Sequence, residues 1–219
     1  MLFRSGAGGS VVTHWFNPNL DYLWFIMPAL LVQIGAISAL SVTAQSVARE
    51  RELGSFDQLM VSPLRTWEIL VGKMTPPFLV GLFNATVYMI VIPLFYGLHM
   101  QGSILLFYAA LPLFLLAVIG IGMAISAVTQ TQQQAFLGMF LVTVPTILLS
   151  GFTSPVENMP GWLQVIAEAD PLKHFLVITE GLFLKGMTGD DVLANAWPIA
   201  VIAVVTMGVA VWQFRARVE

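Results

Sequence analysis

Five long apolar runs alternate with short polar segments along this chain. The runs cover about residues 23–47, 75–97, 103–128, 134–152 and 194–214, and none has Asp, Glu, Lys or Arg in its interior. Each run is close to the ~20 residues with which an α-helix crosses the hydrocarbon core of a bilayer. The pattern therefore predicts an all-α polytopic membrane protein with five transmembrane helices, spans A to E in chain order.

Composition supports a membrane protein and removes several kinds of chemistry. Charged residues make up 10% of the chain, whereas soluble domains contain about 25%. The net charge of −3 does not favour nucleic acid, and there is no Cys. The three His residues, far apart in the sequence, show no metal-ligand spacing. We therefore assign no catalytic residue, no metal site and no nucleic-acid partner.

A short helix with its own start and stop signals is predicted within the polar A–B connection. Ser55 can be its N-cap, and Gln58 completes a capping box. Pro63 ends it, since a residue before proline is disfavoured in the α region. The apolar residues Phe56, Leu59 and Met60 then share one face. Such a helix, following a hinge at Gly54, suits a groove on another protein.

The connection between spans D and E, residues 153–195, is too long and too apolar for a plain loop. Two short helices are predicted, at about 160–167 and 171–185. They form either an outer re-entrant hairpin that caps the bundle or an amphipathic pair lying flat on the membrane. His174 is expected to face solvent. The residues assigned to this hairpin are Pro160, Trp162, Pro171, Phe175 and Lys185.

The distribution of basic residues predicts the orientation. The A–B connection holds four of them and the C-terminal tail holds Arg215 and Arg217, whereas the B–C connection holds none. By the positive-inside rule, the A–B and C–D connections and the C-terminus are cytoplasmic. The B–C connection and the D–E segment are then outside.

Two motifs resemble a known family of membrane proteins. The segment Ala48-Arg49-Glu50-Arg51-Glu52-x-Gly54-Ser55-x-Asp57-Gln58-Leu59-x-Val61-Ser62-Pro63 resembles the signature loop of bacterial type-2 ABC exporter permeases. Leu149-Ser150-Gly151-Phe152, Met159-Pro160, Asp170-Pro171-Leu172 and Lys185-Gly186 look like the outer hairpin of the same family. The stretch Trp15-Phe16-Asn17-Pro18-Asn19 is similar to the end of the extracytoplasmic domain in the branch of this family that is linked to drug efflux.

The resemblance implies a division of the chain and a set of partners. Residues 1–22 would be the remnant of an extracytoplasmic region and residues 23–219 the transmembrane domain, with the family's usual first span missing. Implied partners are two cytoplasmic ABC ATPase subunits that bind ATP and Mg, a second permease copy or paralogue, and a periplasmic adaptor. The residues that the resemblance assigns to ATPase coupling are Arg49, Glu50, Arg51, Glu52, Gly54, Ser55, Phe56, Asp57, Gln58, Leu59 and Met60.

The sequence raises three possible functions. A permease of an ATP-driven exporter in the bacterial inner membrane follows from the resemblance, with no cofactor bound by this chain, because no Walker A pattern occurs. A secondary transporter or channel would need a proton- or ion-coupling group near the middle of a span, and the spans offer only amides such as Gln33 and Asn84 and hydroxyls. A membrane-embedded enzyme would need a catalytic motif such as HExxH, which is absent.

The sparse polar residues of span A suggest a contact between two copies of the chain. Gln33, Ser38, Ser41 and Gln45 fall on roughly one face of the helix. Two such faces across a two-fold axis would form a modestly polar seam and substrate path. The alternative is that these groups only form hydrogen bonds within their own helix.

Overall fold

Five long α-helices and a short helical hairpin make up most of the described structure. The computed structural model describes residues 5–6, 9–10, 22–55 and 65–218. A two-residue antiparallel pair, β1 (Ser5–Gly6) and β2 (Gly9–Ser10), comes first. The helices are α1 (Tyr22–Glu52), α2 (Thr66–Tyr96), α3 (Ile104–Val128), α4 (Gln132–Leu149), a 3-10 turn (Val156–Asn158), α5 (Gly161–Ala167), α6 (Pro171–Glu180), a π-helical turn (Gly181–Lys185) and α7 (Gly189–Val218).

Five of these helices, α1 to α4 and α7, are long and apolar enough to cross a bilayer. They correspond in order to spans A to E, which confirms the predicted all-α polytopic class. Helices satisfy their backbone hydrogen bonds internally, as a segment surrounded by hydrocarbon must. The chain is therefore a multi-pass membrane protein.

Helix α2 begins earlier than the apolar pattern predicts. Span B is expected from about residue 75, yet α2 starts at Thr66 and contains Pro76 and Pro77 in its interior. Its first turn is fixed by a capping box, in which the Arg65 backbone N–H donates to the Glu68 carboxylate over 2.8 Å. A proline removes one backbone donor but does not end every transmembrane helix. The proline pair therefore lies within the helix and does not start it.

Helix α3 lies at the centre of the bundle and packs most extensively against α7 and α1. A Cβ added at Gly120 would lie 2.9 Å from the backbone nitrogen of Met207 on α7. One added at Gly122 would lie 2.7 Å from Cβ of Thr43 on α1. The two glycines thus allow close helix contacts on two sides, as the small residues of span C predict.

Helices α2 and α4, together with one side of α7, form the periphery of the described bundle. Phe83 and Leu94 on α2 are 69% and 72% exposed, and Leu141 on α4 is 77% exposed. Apolar side chains at such positions face lipid or another protein chain. Val204 on α7 is 73% exposed as well, so the single chain leaves apolar surface available on at least three of its described helices.

The two ends of the bundle carry different structures. At the end that we call the loop end lie the last turn of α1, the start of α2 and the turn between α3 and α4. At the opposite, hairpin end lie α5, α6 and the π-helical turn. There the α2–α3 connection is fixed to the hairpin, since Gly102 N–H donates to the Leu182 carbonyl over 2.8 Å.

Candidate functional site

Helix α1 ends at the loop end in a left-handed turn at Gly54. Gly54 has a φ of 70°, a conformation that a side chain disfavours. The backbone N–H of Ser55 donates to the Glu50 carbonyl over 3.0 Å, closing the turn. The predicted hinge at Gly54 is thus a sharp helix end. The predicted coupling residues Phe56, Asp57, Gln58, Leu59 and Met60 lie outside the described residues.

The charged residues before this turn contact other helices of the same chain. Glu50 forms an ion pair with Lys73 of α2 over 2.5 Å, and only 8% of the Lys73 side chain is exposed. Because a buried cation needs a partner, this pair joins α1 firmly to α2. The resemblance assigns Glu50 to ATPase coupling, and no pattern in the sequence predicts its pairing with Lys73.

Arg51 and Glu52 reach the turn between α3 and α4. Nη1 of Arg51 donates to the carbonyls of Ala127 over 2.8 Å and Thr129 over 2.9 Å. The Glu52 carboxylate accepts from the backbone N–H of Gln132 over 2.9 Å and from its side-chain amide over 3.2 Å. These contacts place both charges against the ends of neighbouring helices.

Arg49 differs from the three charged residues that follow it. It is exposed, and within residues 22–55 and 65–218 no hydrogen bond or ion pair of its side chain is found. It lies on an open groove of about 560 Å³, lined also by Ser41, Val42, Gln45, Ser46, Glu50, Leu53 and Gln132. Arg49 is therefore the member of this charged group that is available to a partner or to lipid headgroups.

Most of the polar face predicted on span A lies where the rest of the described chain leaves α1 uncovered. Ser38, Ser41 and Gln45 are partly exposed, while Ala39, Leu40, Thr43 and Ala44 on the other side are buried. Gln33 differs, because its amide nitrogen is buried without a hydrogen-bond partner among the described residues and its side chain lines a small cavity with Val118 and Pro171. Ser38 Oγ donates to the Ile34 carbonyl over 2.7 Å, and Gln45 Nε2 donates to Ser41 Oγ over 3.1 Å. Hydrogen bonds within the helix, the alternative expectation, are thus present. They do not cover the face, so the seam stays a prediction.

The hairpin end contains the predicted pair of short helices. Pro160 is the N-cap of α5, Pro171 lies in the first turn of α6, and Lys185 ends the π-helical turn. Phe175 is fully buried and stacks on Phe114 of α3, with ring centroids 4.3 Å apart. Helix α6 is thus packed into the bundle, whereas Trp162 on α5 is 65% exposed. This packing favours the capping hairpin over a pair lying flat on the membrane.

The expectation that His174 faces solvent is wrong. His174 is 5% exposed, and its Nε2 lies 3.0 Å from the Glu168 carbonyl. The apolar stripe of α6 is broader than the sequence suggests, because α1, α3 and α7 all contact this helix. A hydrogen bond to a backbone carbonyl makes the burial of a His side chain acceptable.

An acidic crevice of about 650 Å³ opens beside α6. Its lining includes Glu157, Glu168, Lys173 and Glu180. A hydrogen bond from Lys173 lowers the pKa of Glu168, whereas burial raises the pKa of Glu180 to about 7. Asp170 nearby is the N-cap of α6 and accepts from Leu172 N–H over 2.9 Å. Burial raises its pKa to about 7 as well.

Comparison with known proteins decides the family. A family model described as ABC-2 type transporter matches residues 8–184, which include both the charged segment at the loop end and most of the hairpin. The chain belongs to the ABC-2 type transporter family. This membership confirms the resemblance that the two motifs carry.

Three named relatives illustrate the similarity of this chain to known proteins. The Escherichia coli K12 protein named "Probable multidrug ABC transporter permease YbhR" is 46% identical over 95% of this chain and 56% of its own length. The E. coli K12 inner membrane transport permease YhhJ is 29% identical over 91% and 54%. The linearmycin resistance permease protein LnrN of Bacillus subtilis 168 is 25% identical over 87% and 48%. The chain spans about half the length of these ABC-2 relatives.

We expect the replacement Asp170→Asn to reduce the pH dependence of folding stability. Since the folded-state pKa of Asp170 is raised from 3.8 to about 7, its contribution to stability falls as pH rises between about 4 and 7. Asn keeps the N-cap acceptor but carries no charge. Thermal unfolding in detergent should show a higher midpoint for Asp170→Asn than for the unmodified protein at pH 8, with little difference at pH 4. The exposed residue Asp190 provides a control, and an equal effect of Asp190→Asn would contradict this assignment.

Proposed function

We propose that this chain is the membrane-spanning part of a permease in an ATP-driven exporter of the bacterial inner membrane. Its substrates are hydrophobic or amphiphilic molecules, drug-like or lipid-linked, which leave the cytoplasm or the inner leaflet. The observation that carries this proposal is the family match over residues 8–184. The names of YbhR and LnrN, which refer to multidrug transport and linearmycin resistance, support this substrate class.

Separate ATPase subunits supply the energy in this proposal. The sequence has no Walker A pattern, so ATP and Mg belong to the partner and the chain itself is not an enzyme. The predicted helix at residues 55–61 is the docking element for that partner. The sharp end of α1 at Gly54 supports this role, because it separates α1 from the predicted helix that follows in the sequence.

A second permease copy completes the transport path. The uncovered face of α1 carries polar residues in its middle. This face lines the groove on which Arg49 also lies. The exposed apolar residues of α4, such as Phe140 and Leu141, extend the surface that a single chain leaves open. A two-fold dimer through α1 would cover these surfaces and form a seam that an amphiphile could pass.

The replacement Phe56→Asp should abolish binding of the ATPase subunits. A charge on the apolar face of the predicted docking helix would have to lose its water in the partner groove, which costs several kcal/mol. The measurement is co-purification of the co-expressed ABC ATPase with the full-length permease. Val165→Asp, an equivalent change at an exposed site of the hairpin end, should leave binding intact. Equal recovery of the ATPase with Phe56→Asp would show that this face does not dock it.

Cysteines on the uncovered face of α1 should cross-link two permease copies. The chain has no native Cys, so single replacements report on one position each. We expect Ser38→Cys and Ser41→Cys to form disulfide-linked dimers whose yield changes with MgATP and vanadate. Phe83→Cys on the exposed side of α2 should not cross-link. Dimers through residue 83 but not through residues 38 and 41 would place the two-fold axis at another helix.

Cysteine labelling should place the two ends of the bundle on opposite sides of the membrane. Leu53 is 68% exposed at the loop end, and Gly189 at the hairpin end has open space around it. We expect Leu53→Cys to react with an impermeant maleimide only in inside-out vesicles and Gly189→Cys only in whole cells with a permeabilised outer membrane. Reaction of both from one side would refute the orientation given by the basic residues.

A further inference from the structure

Three consecutive residues at the end of α1 each contact a different helix. Glu50 pairs with Lys73 on α2 over 2.5 Å. Arg51 donates to two carbonyls at the end of α3 over 2.8 and 2.9 Å. Glu52 accepts from the first backbone N–H of α4 over 2.9 Å. We call Glu50, Arg51 and Glu52 together the helix clasp.

The order of charges in the helix clasp matches the polarity of the two helix ends. The last carbonyls of a helix lack internal donors and carry partial negative charge, which a cation such as Arg51 stabilises. The first N–H groups lack acceptors and carry partial positive charge, which an anion such as Glu52 stabilises. Only three residues, Thr129, Gln130 and Thr131, separate the end of α3 at Val128 from the start of α4 at Gln132. Adjacent positive and negative side chains therefore hold both sides of that turn.

The packing beneath the helix clasp joins α1 and α3 closely. The buried Ser126 Oγ accepts from the backbone N–H of Val47 over 2.9 Å and of Ala48 over 3.3 Å. Thr43 packs against Gly122 one turn further from the loop end. A displacement of the end of α1 would thus carry α3 with it. Helix α4 packs more against α1 than against α3, and Glu52 is the side chain through which the end of α1 holds the first turn of α4.

We propose that the helix clasp transmits movement of the α1–α2 loop to α2, α3 and α4, with Glu52 as the positioning residue for α4. This inference rests on the proposed function for the assignment that an ATPase acts on the loop. It reassigns Glu50, Arg51 and Glu52 from contact with the ATPase to contact within the permease. Arg49 and the segment after Gly54 then remain as the parts available for docking.

The contacts themselves can be tested by hydrogen exchange on the purified full-length protein. Glu52→Ala should raise amide exchange several-fold at the first turn of α4, residues 132–134, without a matching change in α2. The exchanged pair Arg51→Glu with Glu52→Arg keeps the net charge, yet should raise exchange at both helix ends. Arg49→Ala is the matched control and should leave both ends unchanged. Unchanged exchange in Glu52→Ala and in the exchanged pair would overturn the helix clasp.

Transmission requires a second measurement on the permease assembled with its ATPase. A cysteine at the exposed position Leu137 of α4 should change its labelling rate when MgATP and vanadate are added. Glu52→Ala should retain the ATPase but lose this change, and Glu52→Gln, which keeps an acceptor oxygen, should restore part of it. A full change in Glu52→Ala, or loss of ATPase binding in Glu52→Ala but not in Arg49→Ala, would overturn the proposal. If the unmodified permease binds no ATPase, the proposed function fails, while hydrogen exchange still decides whether the helix clasp exists.

Discussion

The close contact between α1 and α3 is the interaction on which the rest of the structure depends. Gly122 lets Thr43 approach the α3 backbone, and Ser126 then bonds to the backbone of α1. In a bilayer, where apolar burial alone does not favour one helix pair over another, small residues and hydrogen bonds supply the specificity. The contact fixes how far along α1 the end of α3 lies. That register brings Arg51 within reach of the last carbonyls of α3.

Specific contacts with α3 also fix the hairpin end, and there the contacts are between aromatic rings. Phe175 lies between Phe107 and Phe114 of α3, with ring centroids 5.7 and 4.3 Å away. Stacked rings contribute both buried area and a preferred geometry. The hairpin is therefore fixed to α3, whose other end lies at the loop end of the bundle. Contacts with α3 thus position both ends of the bundle.

The amino-acid pattern predicts the parts of this molecule that depend on local rules. Apolar length predicts five spans, and the prolines and glycines of the D–E segment predict two short helices. The pattern misplaces the start of α2, because the Glu68 capping interaction adds about a third of the helix before the proline pair. It also misses the burial of His174, since only the contacts of α1, α3 and α7 around α6 produce it.

The candidate site is harder to predict because its partners are distant in the sequence. Arg49, Glu50, Arg51 and Glu52 form one charged group in the sequence, and the resemblance assigns all four to ATPase coupling. In the structure they separate, since Arg49 faces the groove while the next three reach α2, α3 and α4. Glu52 and Gln132 are 80 residues apart, so no local pattern links them.

The two faces of α1 have different roles, packing within the chain on one side and exposure on the other. This difference explains which residues lie on each face. The face toward α3 holds small and apolar residues, which allow the close contact. The uncovered face holds Ser38, Ser41 and Gln45, whose polar groups form hydrogen bonds within the helix and so cost little when exposed to lipid or to a second chain. Because α1 is packed tightly against α3 on one face and carries only a few polar groups on the other, it can move together with α3. Its uncovered face can then exchange contact with lipid for contact with a second chain. The charged end of the same helix is where such a movement would begin.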